Sequence, residues 1–140
     1  MRVLVIDDEQ DVLLLCRVNF EFAGHEVLEA ADGDRGLELA TALRPDLIVL
    51  DIMLPRRDGI ALLSELARRP ETKGTPVVLL TARVQEDDRL RGWRAGAAEY
   101  VTKPFSPTAL TEIVERVHRM SPEDRLRHRS EALSGLLTSA

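Results

Sequence analysis

The chain has 140 residues, 44% hydrophobic and 31% charged, which is enough apolar material for one full globular core and too little for two. Its net charge of -5 argues against nucleic acid as a direct ligand of the whole surface, and no apolar run approaches the roughly 20 residues of a membrane span. A lone cysteine, Cys16, excludes an internal disulfide, and the opening residues reach an acid at Asp7, too soon for a signal peptide, so a cytoplasmic protein is expected.

Taken in order, residues 3–6 form an apolar run that ends in Asp7-Asp8-Glu9. Residues 10–23 are rich in Leu and Val and follow an acidic first turn, which predicts a helix stopped by Gly24; Cys16 falls inside it as a small core residue. Residues 26–30 read as a short strand, Asp32-Gly33 as a turn, and residues 34–43 as a helix broken by Pro45. Residues 47–50 are uniformly apolar, the mark of a strand buried on both faces, and they end abruptly in Asp51 before a loop marked by Pro55 and Gly59. A helix over 58–69, a loop over 70–76 and a strand over 77–80 follow, the strand ending in Thr81-Ala82. A polar helix over 86–95 stops at Gly96, and a strand over 97–101 ends in Thr102-Lys103-Pro104. Ser106-Pro107 then opens a last helix with the stripe Leu110, Ile113, Val114 and Val117.

Five strands alternating with five helices predict an α/β fold: a doubly wound, five-stranded parallel sheet with helices on both faces. Ligands of such folds bind beyond the carboxyl ends of the strands, where this chain collects Asp7, Asp8, Asp51, Thr81 and Lys103. Residues 1–120 make up this domain, leaving a tail at 121–140. Ser121-Pro-Glu-Asp124 is a helix start, and Leu126, Leu133, Leu136 and Leu137 give a loose apolar face. One extra helix, packed on the domain or a partner, and an under-packed linker both fit, but the tail is too short for a DNA-binding domain.

Three carboxylates on one rim repel each other unless a cation sits among them, and oxygen-only ligands in an open, hydrated site suit Mg²⁺. With a Lys ammonium and a Thr hydroxyl beside them, they match the needs of phosphoryl transfer to a carboxylate. Singly, each residue has an ordinary explanation: Asp7 or Asp8 as a helix cap, Thr81 as a strand end, Lys103 as a solvated charge. Their placement at the ends of four strands is what sets them apart.

The acidic pair Asp7-Asp8, the box Leu50-Asp51-Ile-Met-Leu-Pro55 with Asp58-Gly59, Thr81-Ala82, and Tyr100-Val-Thr-Lys103-Pro104-Phe105 together resemble the receiver domain of bacterial two-component response regulators, over about residues 1–120. The resemblance implies a flavodoxin-like strand order 2-1-3-4-5 and a cis Lys103–Pro104 bond. It implies Asp51 as phosphoacceptor, Asp8 as direct and Asp7 as largely water-mediated Mg²⁺ ligand, Met53 as a backbone-carbonyl ligand, and Thr81 and Lys103 on the phosphoryl group. It makes Tyr100 the switch aromatic, turning inward when Thr81 moves and remodelling the face of the fourth helix, fifth strand and fifth helix. Trp93, Arg89, Arg91 and Arg94 lie beside that face as candidate partner contacts. A sensor histidine kinase is the implied phosphoryl donor, with no membrane contact, no direct nucleic-acid contact and no organic cofactor.

Asp87-Asp88-Arg89-Leu-Arg91-Gly92 and Lys103-Pro-Phe-Ser-Pro107 look most like receivers of winged-helix transcription regulators, which pair through ion pairs across the same face. Here Ala109 and Ile113 stand where an acid and a base are usual, so both a homodimer and a downstream protein are candidates for that face. Arg83, beside the path of a hydrolytic water, and Met53 are expected to influence phosphate lifetime. The pattern fits a single-domain switch or the receiver part of a longer regulator, one that assists its own phosphorylation without being a turnover enzyme. A Mg²⁺-dependent phosphatase of the haloacid dehalogenase class would need an acid two residues after its nucleophile, where this chain has Met53. A non-phosphorylated interaction module would not need the intact set of Asp51, Asp8, Thr81 and Lys103.

Overall fold

A computed structural model describes residues 1–83 and 85–138. The elements run β1 (Arg2–Ile6), α1 (Gln10–Phe22), β2 (Glu26–Ala30), α2 (Gly33–Leu43), β3 (Leu47–Leu50), α3 (Gly59–Arg68), β4 (Val77–Thr81), α4 (Glu86–Ala95), β5 (Glu99–Thr102), α5 (Pro107–Arg119) and α6 (Pro122–Thr138). All strand pairings are parallel, in the order β2-β1-β3-β4-β5.

The apolar runs become strands because alternate residues serve opposite faces of the sheet. Val3, Val5, Leu47, Val49, Val78 and Leu80 pack against α1 and α5 through Phe20, Leu110 and Val114. Leu4, Ile6, Ile48, Leu50, Val77 and Leu79 pack on the other side, against Ala40 of α2, Leu62, Leu63 and Leu66 of α3, and Trp93 of α4. Cys16 is buried in the first of these cores, where burial, with the Asp7 charge adding to it, pushes its thiol up to about 12. No helix among the described residues is long and apolar enough to cross a membrane.

Helix ends fall where capping chemistry puts them. Asp32, Asp58 and Ser106 each accept a backbone N–H of the helix that follows. The expected fifth strand shifts to begin at Glu99, because the Ala97 N–H still donates to the Gly92 carbonyl and closes the C-terminus of α4 behind Gly96, at φ +113°. The Lys103–Pro104 peptide bond is cis.

The tail is a helix, and a longer one than its sequence suggested. Ser121 Oγ accepts the Asp124 N–H at 3.1 Å, and α6 then runs back over α4. Its packed face is narrower than the four leucines implied: Ala132, Leu133 and Leu136 meet the core cluster that contains Trp93 and Tyr100, while Leu126 and Leu137 stay exposed.

Gly59 sits at the closest approach in the loop after Asp51. Its N–H donates to the Ile52 carbonyl at 3.1 Å, and a Cβ there would lie 2.4 Å from Ile52 Cα and 2.6 Å from its oxygen, both immovable backbone atoms. Gly59→Ala is expected to destabilise the fold by about 1–3 kcal/mol, read from urea unfolding, and an unchanged midpoint would show the loop yields. Cys16 is expected to resist alkylation at mildly alkaline pH until the chain unfolds, since the thiolate is the nucleophile.

Candidate functional site

The carboxyl ends of the strands carry the site, and the sheet's hydrogen bonds place it. Just past β1, the Asp7 N–H donates to the Ala30 carbonyl at 3.1 Å; just past β3, the Asp51 N–H donates to the Ile6 carbonyl at 3.0 Å. Just past β5, the Lys103 N–H donates to the Thr81 carbonyl at 2.9 Å. Each side chain therefore sits one step beyond its strand, on backbone still held by the ladder.

Asp7, Asp51 and Thr81 are buried, whereas Asp8 is exposed. Lys103 Nζ reaches between the two buried carboxylates, 2.9 Å from Asp7 Oδ2 and 2.9 Å from Asp51 Oδ2. The Asp51 contact is a hydrogen bond. The Asp7 contact is an ion pair by distance but not by angle, and Asp7 Oδ2 is left buried with no hydrogen-bond donor among the described residues. The other oxygens are held by backbone: Asp7 Oδ1 accepts from the Glu9 N–H and Asp51 Oδ1 from the Met53 N–H, each at 2.9 Å. The Met53 side chain itself is exposed.

Burial pushes the Asp7 carboxyl above the usual carboxylate range, against the pull of Lys103. For Lys103, burial works against the ammonium, but its close contacts with the Asp7 and Asp51 carboxylates outweigh it, and its pKa lies above that of free lysine. Asp7, Asp8 and Asp51 each aim an oxygen into one small volume, with those atoms within 4.8 Å of one another. An undonated buried oxygen beside a second buried carboxylate and an open acid is a donor set that fits a hard divalent cation.

Glu9 is a neighbour the sequence did not single out: its Oε1 lies 3.1 Å from Lys103 Nζ. The run Asp7-Asp8-Glu9 was visible, but which acid meets Lys103 depends on the turn after β1. Thr81 Oγ1 accepts the Arg83 N–H at 3.3 Å, and the Arg83 carbonyl in turn accepts the Tyr100 hydroxyl at 2.8 Å. The Tyr100 ring is thus already turned inward and buried, with the Arg89 guanidinium 5.3 Å from its centroid. Gly92 makes room for it, since a Cβ there would fall 3.1 Å from the ring. Burial, and next the charge of Asp88, push the phenol up to about 12.

The response regulator receiver domain model matches residues 3–115. This chain belongs to the response regulator receiver family. The receiver is 41% identical over 120 residues to the alkaline phosphatase synthesis transcriptional regulatory protein PhoP of Bacillus subtilis, covering 86% of this chain and 49% of PhoP. It is 42% identical over 122 residues to the phosphate regulon transcriptional regulatory protein PhoB of Escherichia coli, covering 86% of this chain and 53% of PhoB. It therefore spans about half the length of these curated relatives. Among solved structures it resembles the chemotaxis response regulator CheY4 of Vibrio cholerae, with a TM-score of 0.78 at 30% identity over 83% of this chain and 97% of that one.

Two expectations for the face around the receiver's α4 change. Trp93 is buried, with the His128 ring edge-on at 5.5 Å, so it is not an open contact. Of the helix arginines, Arg89 lies over Tyr100, Arg91 is exposed but pairs with Asp58 at 3.5 Å, and Arg94 is exposed.

Lys103→Met would leave two buried carboxylates without their shared ammonium. Folding stability without divalent cations is expected to fall by about 3–5 kcal/mol, as for other broken buried pairs. Magnesium in the buffer should restore much of it by binding the folded state. Urea titrations with and without the ion check this, and equal stability of variant and parent would show that Lys103 compensates nothing.

Proposed function

We propose that this receiver is a cytoplasmic phosphorylation switch that accepts a phosphoryl group on Asp51 from a sensor histidine kinase. The observation that carries this reading is the buried Asp51 carboxylate sharing Lys103 with Asp7. An Asp51 oxygen attacks the phosphorus; the O–P bond forms as the P–N bond to the donor imidazole breaks. Asp7, Asp8, Asp51 and the Met53 carbonyl would hold Mg²⁺, which when bound would neutralise charge on the phosphoryl oxygens. Lys103, already at the Asp51 oxygen, follows the charge outward onto the new group, and the Thr81 hydroxyl donates to one of its oxygens. Arg83 and Met53, both exposed beside the site, are the residues we assign to the lifetime of the acyl phosphate.

A phosphodonor protein has to reach this rim. The helix that starts there, α1, leaves Leu14, Leu15 and Val18 exposed, an apolar surface beside the site on which such a partner can settle. Residues 1–120 carry the switch and 121–140 are an appended element. The transcriptional roles in the relatives' names belong to proteins of which the matched residues make up about half, and no nucleic-acid contact is assigned to these residues.

Intact mass after incubation with acetyl phosphate and Mg²⁺ is expected to show one added phosphoryl group, absent in Asp51→Asn. Asp8→Ala is expected to abolish the dependence of labelling on Mg²⁺. Full labelling of Asp51→Asn would move the acceptor elsewhere.

A further inference from the structure

We propose that α6 is a built-in ligand of the surface around Tyr100, and that by docking there it holds the ring inward and biases the receiver towards its phosphorylated arrangement. This rests on the function proposed above. The helix is attached by chemistry specific to that surface. His128 Nε2 lies 2.9 Å from Glu99 Oε2 on β5, and the same imidazole meets the Trp93 ring edge-on. One turn further, Ala132, Leu133 and Leu136 pack on the cluster that contains Trp93 and Tyr100. Glu99 is in turn anchored by Arg116 of α5 at 3.3 Å, so one carboxylate ties α5, β5 and α6 together.

The Tyr100 ring has two places to go. Inward, its hydroxyl donates to the Arg83 carbonyl, one residue along a chain of contacts that begins at Thr81. Outward lies a cleft of about 350 Å³ whose walls include Arg89, Trp93, Glu99, His128 and Leu136. With α6 in place an outward ring would enter a cleft walled on one side by His128, Ala132 and Leu136 of that helix. The outward ring gives up the Arg83 carbonyl and moves into space that α6 has narrowed, so docked α6 disfavours it. Any ligand that makes Thr81 and its loop favour the inward ring must, by linkage, tighten α6 by the same factor.

A docked α6 also takes the α4–β5 half of the face through which receivers of this kind pair. The open remainder is a groove between β5 and α5 of about 400 Å³, lined by Val101, Phe105, Ala109 and Ile113. Ala109 and Ile113 stand in it where an ion pair with a second copy would require charges.

The test uses the full chain with beryllofluoride and Mg²⁺ as the phosphoryl mimic. Hydrogen exchange over 122–138 is expected to slow when the mimic binds. His128→Ala, which removes the Glu99 and Trp93 contacts, and Leu133→Asp, which charges the packed face, are each expected to raise the half-saturating beryllofluoride concentration about five-fold, the low end of usual allosteric couplings. Leu137→Ala, on the exposed side of the same helix, should leave it unchanged; far-ultraviolet dichroism and a cooperative urea transition verify that the variants stay folded. Unchanged exchange with equal affinities, or tighter binding in the variants, would overturn the role of α6 and leave the switch intact. If no mimic binds and acetyl phosphate gives no adduct on the parent chain, both readings fall.

Discussion

Two carboxylates, Asp7 and Asp51, are buried side by side, and the ammonium of Lys103 between them makes that arrangement tolerable. Burial drives the Asp7 carboxyl towards its protonated form, and the Asp51 charge adds to the drive. Lys103 opposes both from the far edge of the sheet, its N–H held by the Thr81 carbonyl just past β5 and its Nζ reaching both carboxylates. The same arrangement is incomplete in a useful way. Asp7 Oδ2 has the Lys103 charge beside it but no hydrogen bond among the described residues, which leaves it open to a further cation.

The two cores of the sheet divide the labour. One, under α1 and α5, contains no residue of the Thr81–Arg83–Tyr100 chain. The other holds Trp93 and Tyr100 and, by strand alternation from Leu79, faces Thr81 as well. A rearrangement at Thr81 therefore has a packed route to α4 and α6 that leaves the α1 side as a fixed base. Close-packed interiors transmit such shifts as a choice between discrete packings, not as gradual deformation.

Much of this was legible in the sequence because it rests on local rules. The apolar runs at 47–50 and 77–80, the breaks at Gly24, Pro45 and Gly96, and the Ser106-Pro107 start are decided within a few residues, and all stand in the structure. The ends of the expected strands, in a doubly wound fold, placed Asp7, Asp8, Asp51, Thr81 and Lys103 at one rim. What could not be read were contacts between segments distant in sequence. Glu9 meets a lysine 94 residues away, His128 meets Glu99 across a turn and a helix, and Trp93 is covered by a tail whose pattern was too weak to say which leucines faced in. Arg89 read as a candidate partner contact because nothing in α4 alone shows the ring beneath it. Tyr100 was expected to turn inward on activation; its inward position here depends on the Arg83 carbonyl and on Gly92, neither of which has a sequence signal.

The ladder bonds that carry Asp7 and Asp51 have a consequence for how such a site can vary. Their separation is set by the spacing of adjacent strands, about 4.8 Å, and not by the loops that follow them. Insertions or substitutions in those loops can reshape what surrounds the rim while the carboxylates keep their distance, because that ruler is built from backbone atoms every sequence shares. The reactive geometry is thereby insulated from the parts of the chain most free to drift, and partner choice can diversify without the chemistry being reinvented each time.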